Sequence, residues 1–119
     1  MESNEQALIA AHAALDKKAE DVVVVEVRDL LVVTDYFVIA TALNDRQVRA
    51  VVDEVEDKVR ELGGLKPIGR EGLDEGRWAL LDYGTFVVHV FQPEARDFYR
   101  LDTLWGDAPV VEVETAQVP

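Results

Sequence analysis

Along residues 44–64 apolar and polar positions alternate with the period of a helix. Val48, Val51, Val52, Val55, Val59 and Leu62 fall on one stripe, and Arg46, Arg49, Asp53, Glu54, Glu56, Asp57, Lys58 and Arg60 fill the other face. Asn44 stands ahead of the stripe as an N-cap, Asp45 puts negative charge in the first turn, and Gly63-Gly64 ends the run. Valine is a middling helix former, so this helix depends on packing its stripe against a sheet. Upstream, Ser3 and Gln6 read as a capping box. Leu8, Ala11, His12, Leu15 and Ala19 then give a helix over about residues 4–19.

The β-branched run 22–25 with Val27 is too short for a helix and reads as a buried strand. Residues 35–41 are nearly continuously apolar, as in a central strand covered on both faces. Residues 65–68 read as a short strand, which makes a parallel βαβ unit with the helix before it. Residues 77–82 and 85–91 form a hairpin about Tyr83-Gly84. Pro93 opens a last helix carrying Phe98, Leu101 and Trp105 on one stripe, and Gly106 ends it. The pattern predicts one α/β domain over residues 1–107. Its mixed sheet has about five strands with three helices, in the order α-β-β-α-β-β-β-α. Residues 108–119, with two prolines and no partner element, read as a mobile acidic tail.

Charge narrows the function. Twelve basic residues face 24 acidic ones, a net charge of −12. Binding a phosphate backbone needs a positive footprint, so the balance argues against direct contact with nucleic acid. It favours a basic partner, such as a protein that itself sits on nucleic acid; plain solubility is the blander reading. Cysteine is absent, which excludes disulfides, thiolate metal sites and a cysteine nucleophile. No apolar run reaches the ~18 residues of a membrane span. The start, Met-Glu-Ser-Asn-Glu, has no basic leader, so a cytosolic setting is expected.

Candidate chemistry is sparse. Ser3 is the sole serine. His89 alternates with Val88 and Val90 and has no second histidine nearby, so it reads as a core or sheet-face imidazole with one hydrogen bond; base or metal ligand is the alternative. Gly69-Arg70-Glu71-Gly72 reads as a turn, because Glu71 would repel an anion. Asp74, Glu75 and Asp82 offer carboxylates for Mg²⁺ but lack an Asp-x-Asp on one strand, and a solvated acidic edge or a docking edge for arginines fits better. Among the aromatics, Trp105 reads as a core plug, Trp78 as core or interface, and Tyr99, off the last stripe, as interface.

Several stretches resemble the ribosomal silencing factor (Iojap, RsfS) family. Residues 34–41, Thr-Asp-Tyr-Phe-Val-Ile-Ala-Thr, are followed by Arg46-Gln47-Val48, Glu71-Gly72, Trp78, Leu81-Asp82-Tyr83-Gly84, Val87-Val88-His89-Val90-Phe91, Arg96-Asp97-Phe98-Tyr99-Arg100-Leu101 and Leu104-Trp105-Gly106-Asp107. The resemblance covers about residues 5–108; Ala42 departs from the family's usual glycine, and the tail after Asp107 is expected outside the shared region. The resemblance implies a nucleotidyltransferase-like fold without catalysis or cofactor. It also implies binding to the large ribosomal subunit through ribosomal protein L-fourteen on the intersubunit face, which blocks small-subunit joining when nutrients run low. Organellar relatives imply the alternative of a large-subunit assembly factor. A nucleotide- or metal-dependent enzyme is the remaining alternative, but the Gly-Ser motif and paired aspartates of nucleotidyltransferases are missing. Relatives imply a weak homodimer as well. The contact residues expected on this reading are Glu71, Asp82 and Asp102, pairing with lysine or arginine, and Trp78, Tyr83 and Tyr99, supplying apolar area.

Overall fold

The structure, a computed structural model, describes residues 2–28, 34–99, 109–111 and 113, with the backbone alone at 98 and 99. The elements run α1 (Ser3–Asp16), β1 (Glu20–Glu26), β2 (Tyr36–Thr41), α2 (Asp45–Gly63), β3 (Gly69–Glu71), β4 (Trp78–Asp82), β5 (Phe86–Phe91), α3 (Pro93–Tyr99) and β6 (Val110–Val111). The strands form one sheet in the order β3-β4-β5-β2-β1-β6. Only β2 and β5 pair in parallel; the other neighbours are antiparallel. The expected mixed α/β sheet is therefore present, with six strands among the described residues.

Helix α2 forms as its stripe predicts. The Asn44 side-chain oxygen accepts from the Gln47 N–H at 2.8 Å, and Gly64 closes the helix in the left-handed conformation. Val48, Val51, Val52, Val55 and Val59 are all buried. Helix α1 differs from expectation. Its N-cap is Glu2, whose N–H donates to Glu5 at 3.0 Å, and it stops at Asp16. Its buried face is Ala7, Ala10, Ala11, Ala13 and Ala14, so small side chains and not leucines let the helix approach the sheet closely. Together α1 and α2 cover one sheet face, over Val24, Val38, Ala40, Leu81, Phe86, Val88 and Val90.

Three further expectations change. The short strand after α2 is Gly69–Glu71, not residues 65–68, because Pro67 has no N–H to give a ladder. It runs in the same direction as β2 but lies three places away, bonded antiparallel to β4. The hairpin turn is also displaced by one residue. Tyr83 N–H donates to the Phe86 carbonyl, and Asp82 pairs with Val87, which leaves Gly84-Thr85 as the central pair. Gly84 has φ +88°, the left-handed value that a type II′ turn demands at its first central position. Finally, Val110 and Val111, in the stretch read as having no partner element, pair with Val25 and Val24 of β1. The stripe residues Leu101 and Trp105 lie outside the described residues.

Candidate docking surface

Side chains alternate across a strand, so residues 78, 80 and 82 of β4 share a face with 87, 89 and 91 of β5 and 37 and 39 of β2. This is the face opposite α1 and α2. The strand registers align Glu71, Leu80, His89, Ile39 and Val23 in one row across five strands. The neighbouring row is Gly69, Asp82, Val87, Phe37 and Val25. Part of the face is closed by α3, where Ala95 packs with Phe91, Ile39, Val25 and Val27.

Beside that packed patch lies a groove of about 390 Å³, lined by Thr34, Phe37, Ile68, Glu71, Leu80, Asp82, Gly84, Val87 and His89. Its floor is apolar, and Ile68, 76% exposed, stands on its wall. Glu71 is exposed at the β3 edge, while Asp82 spends one carboxylate oxygen on the Gly84 N–H at 2.8 Å, which steadies the hairpin turn. Neither carboxylate has a cationic partner among the described residues. Arg70, between them in the fold, points to the other face and meets Glu56 of α2 at 3.0 Å. Two acidic groups are thus left to line an otherwise apolar hollow.

His89 lies at the base, 4% exposed. Phe37 meets it edge-on at 4.8 Å between ring centroids, and Phe91 stacks beside it at 6.0 Å. The Trp78 indole N–H donates to His89 Nδ1 at 3.1 Å, the single hydrogen bond anticipated for this ring. Burial pushes the imidazole pKa down to about 4, so the ring is neutral at physiological pH. Trp78 is half-buried and stacks on Phe91 at 4.9 Å, so it serves both the core and the edge of this face.

Of the six contact residues expected, Glu71, Asp82 and Trp78 converge on this face. Tyr83 does not belong to it. It is 5% exposed on the helical side, stacked on Phe86 at 4.7 Å, where burial raises the phenol pKa. A ring enclosed in that core offers no area to a partner. The side chain of Tyr99, and Asp102 entirely, lie outside the described residues. Thr34, Phe37, Ile68, Leu80 and Val87 were missed as groove residues. The period-two alternation of β4 and β5 carried the signal for Leu80 and Val87; that for Ile68 and Thr34 was hidden in loops. Residues 69–72 turn at Gly72 (φ +79°), after the short strand. The hollow beneath residues 70–75 is lined by that single stretch, with Glu71, Asp74 and Glu75 in it, which suits no anion.

Comparison with known proteins agrees with this fold. The family model described as "Ribosomal silencing factor during starvation" matches residues 1–119, so the match extends over the tail expected to fall outside it. The ribosomal silencing factor RsfS of Bacillus subtilis is 42% identical over 89% of this chain and 89% of its own length. The chloroplastic protein Iojap of Zea mays is 35% identical over 90% of this chain, which spans 46% of that longer protein. A crystal structure of a Chromobacterium violaceum protein superposes with a TM-score of 0.85 at 35% identity, covering 98% of both chains. One from Bacillus halodurans does so with a TM-score of 0.79 at 35% identity, over 93% of this chain and 100% of that one. The chain therefore belongs to the ribosomal silencing factor family.

Proposed function

We propose that this protein represses translation by binding the large ribosomal subunit through ribosomal protein L-fourteen and standing where the small subunit must join. The observation that carries the reading is the groove opposite the helices: a largely apolar hollow with Glu71 and Asp82 at its wall, neither with a cationic partner among the described residues, in a chain of net charge −12. A ribosomal protein embedded in RNA is basic, so a lysine- or arginine-bearing surface complements this one. The names of the relatives, ribosomal silencing factors, support a ribosomal partner. The mechanism is occupancy. One small domain covers a surface that a second body needs, and no bond is made or broken. Repression then scales with bound fraction and weakens with salt, because rim charges are screened over about 8 Å at physiological ionic strength.

Co-sedimentation with purified large subunits, followed by addition of small subunits, tests this. Asp82→Lys combined with Glu71→Lys is expected to abolish both binding and the block to joining. Normal subunit joining in the presence of a large excess of bound wild-type protein refutes the steric mechanism and leaves a large-subunit assembly factor as the reading. The same family kinship supports a weak homodimer, for which the three-residue β3 edge is a candidate pairing row. Light scattering that shows a monomer at high concentration refutes it.

A further inference from the structure

An indole N–H can only donate, so His89 Nδ1, 3.1 Å from Trp78 Nε1, must accept and carries no proton. In a neutral imidazole the proton then sits on Nε2. That nitrogen is buried and has no hydrogen-bond partner among the described residues, and the hydroxyl of Thr34 is in the same condition, as are His12 Nε2 and the Tyr83 hydroxyl elsewhere in the fold. His89 and Thr34 line the groove that Glu71 and Asp82 flank. A buried donor without an acceptor is rare in folded proteins, because its lost hydration is not replaced. Here two such groups sit in one hollow, and the ring lies against the aromatic rings of Phe37, Trp78 and Phe91.

We propose that His89 is a specificity-determining residue of the docking surface: Trp78 locks its tautomer, and its Nε2–H donates to a carbonyl oxygen of a basic protein segment whose lysine or arginine is held by Glu71 and Asp82. This rests on the docking reading above and adds to it the chemistry that the groove selects. A fixed neutral donor gives its proton to an oxygen and rejects a second N–H. Because the ring is neutral, it also adds no positive charge to oppose the incoming cation. A nucleic-acid phosphate could satisfy the donor but meets two carboxylates that have no cationic partner among the described residues, so a peptide carbonyl beside a cationic side chain is the occupant that satisfies both the imidazole and the carboxylates. Trp78 is a positioning residue: it acts on the partner through the proton on His89.

Two measurements test the proposal. Long-range ¹H–¹⁵N spectra of the full chain at neutral pH read which imidazole nitrogen is protonated. The expected result is Nε2–H in the wild type and a shift toward the Nδ1–H form in Trp78→Phe. A wild-type Nδ1–H tautomer overturns the proposal, whatever the variants do. In binding to purified large ribosomal subunits, His89→Phe, which keeps an aromatic neutral ring but has no donor, is expected to weaken affinity about tenfold, the worth of one hydrogen bond. Wild-type affinity in that variant, with binding lost in Asp82→Lys, overturns the role of His89 while the docking reading stands. Unchanged binding in Asp82→Lys and Glu71→Lys overturns the docking reading itself, and the proposal with it.

Discussion

Acidification is expected to loosen the fold through a single buried ring. His89 keeps its neutral form in the folded protein down to about pH 4, because burial penalises the charge. The unfolded chain protonates the same ring below its ordinary value of 6.5. Between those limits the unfolded state binds more protons than the folded one. Stability is therefore complete above pH 6.5 and falls as pH falls toward 4, by about 1.4 kcal/mol per unit. Between about pH 7 and 4.5 the ring alone accounts for a loss of about 2 kcal/mol. The ring is 4% exposed, so little of this is lost to solvent screening. The abundant carboxylates also titrate near the lower limit, and a variant that cannot titrate at this position cancels them. His89→Phe removes the acceptor that His89 Nδ1 offers to the Trp78 N–H, a cost that does not vary with pH. Urea unfolding of both proteins at the two pH values is the assay. The wild type is expected to lose about 2 kcal/mol more than the variant on acidification. Parallel losses in the two proteins would refute the claim that the fold holds this ring neutral.

Three other perturbations probe what positions the docking face. Gly72→Ala forces a side chain into φ +79° and against the Trp78 carbonyl oxygen, and is expected to destabilise by at least about 1–2 kcal/mol in chemical denaturation while detaching the β3 edge that carries Glu71. Asn44→Ala removes the cap of α2 and is expected to cost about 1 kcal/mol with no change in affinity for the large subunit. Phe91→Ala empties the fully buried stack beneath Trp78 and His89, a loss of about 3–5 kcal/mol in thermal or urea unfolding.

Helix α2 was readable because three independent signals coincide on it: the Asn44 cap, the valine stripe and the glycine stop. The central strands were readable because β2 and β5 are buried along most of their length and are apolar but for Thr41 and His89. Helix α1 misled because leucine outweighs alanine in any hydrophobicity pattern, whereas the close approach to the sheet selects the smaller side chain. The strand after α2 was misplaced because Leu65 and Ile68 carry the apolar signal, yet ladder bonds are made by backbone and Pro67 interrupts them. Val110 and Val111 were left without a partner because a two-residue strand has no periodicity; only the free edge of β1 gives it a place. As for the site, Glu71, Asp82 and Trp78 were marked out by chemical type, which composition shows. Tyr83 was marked by the same logic and fails, because the alternation of the hairpin turns it to the helical side. Leu80, Val87 and His89 come together through a cross-strand register fixed by the Gly84-Thr85 turn, and the turn's placement was off by one residue.

The pairing of Val110 and Val111 with β1 carries a consequence for solubility. The Val22–Val25 segment is short, β-branched and uncharged between its flanking acids, the kind of stretch that templates fibrillar stacking when its backbone is left open. Its outer row is occupied by Pro109, which accepts from the Glu26 N–H, and by the two valines. The C-terminal stretch thus shields that flank: a chain ending before Pro109 loses the packing of Val111 and Val113 on the core and would present a sticky flank to its own kind.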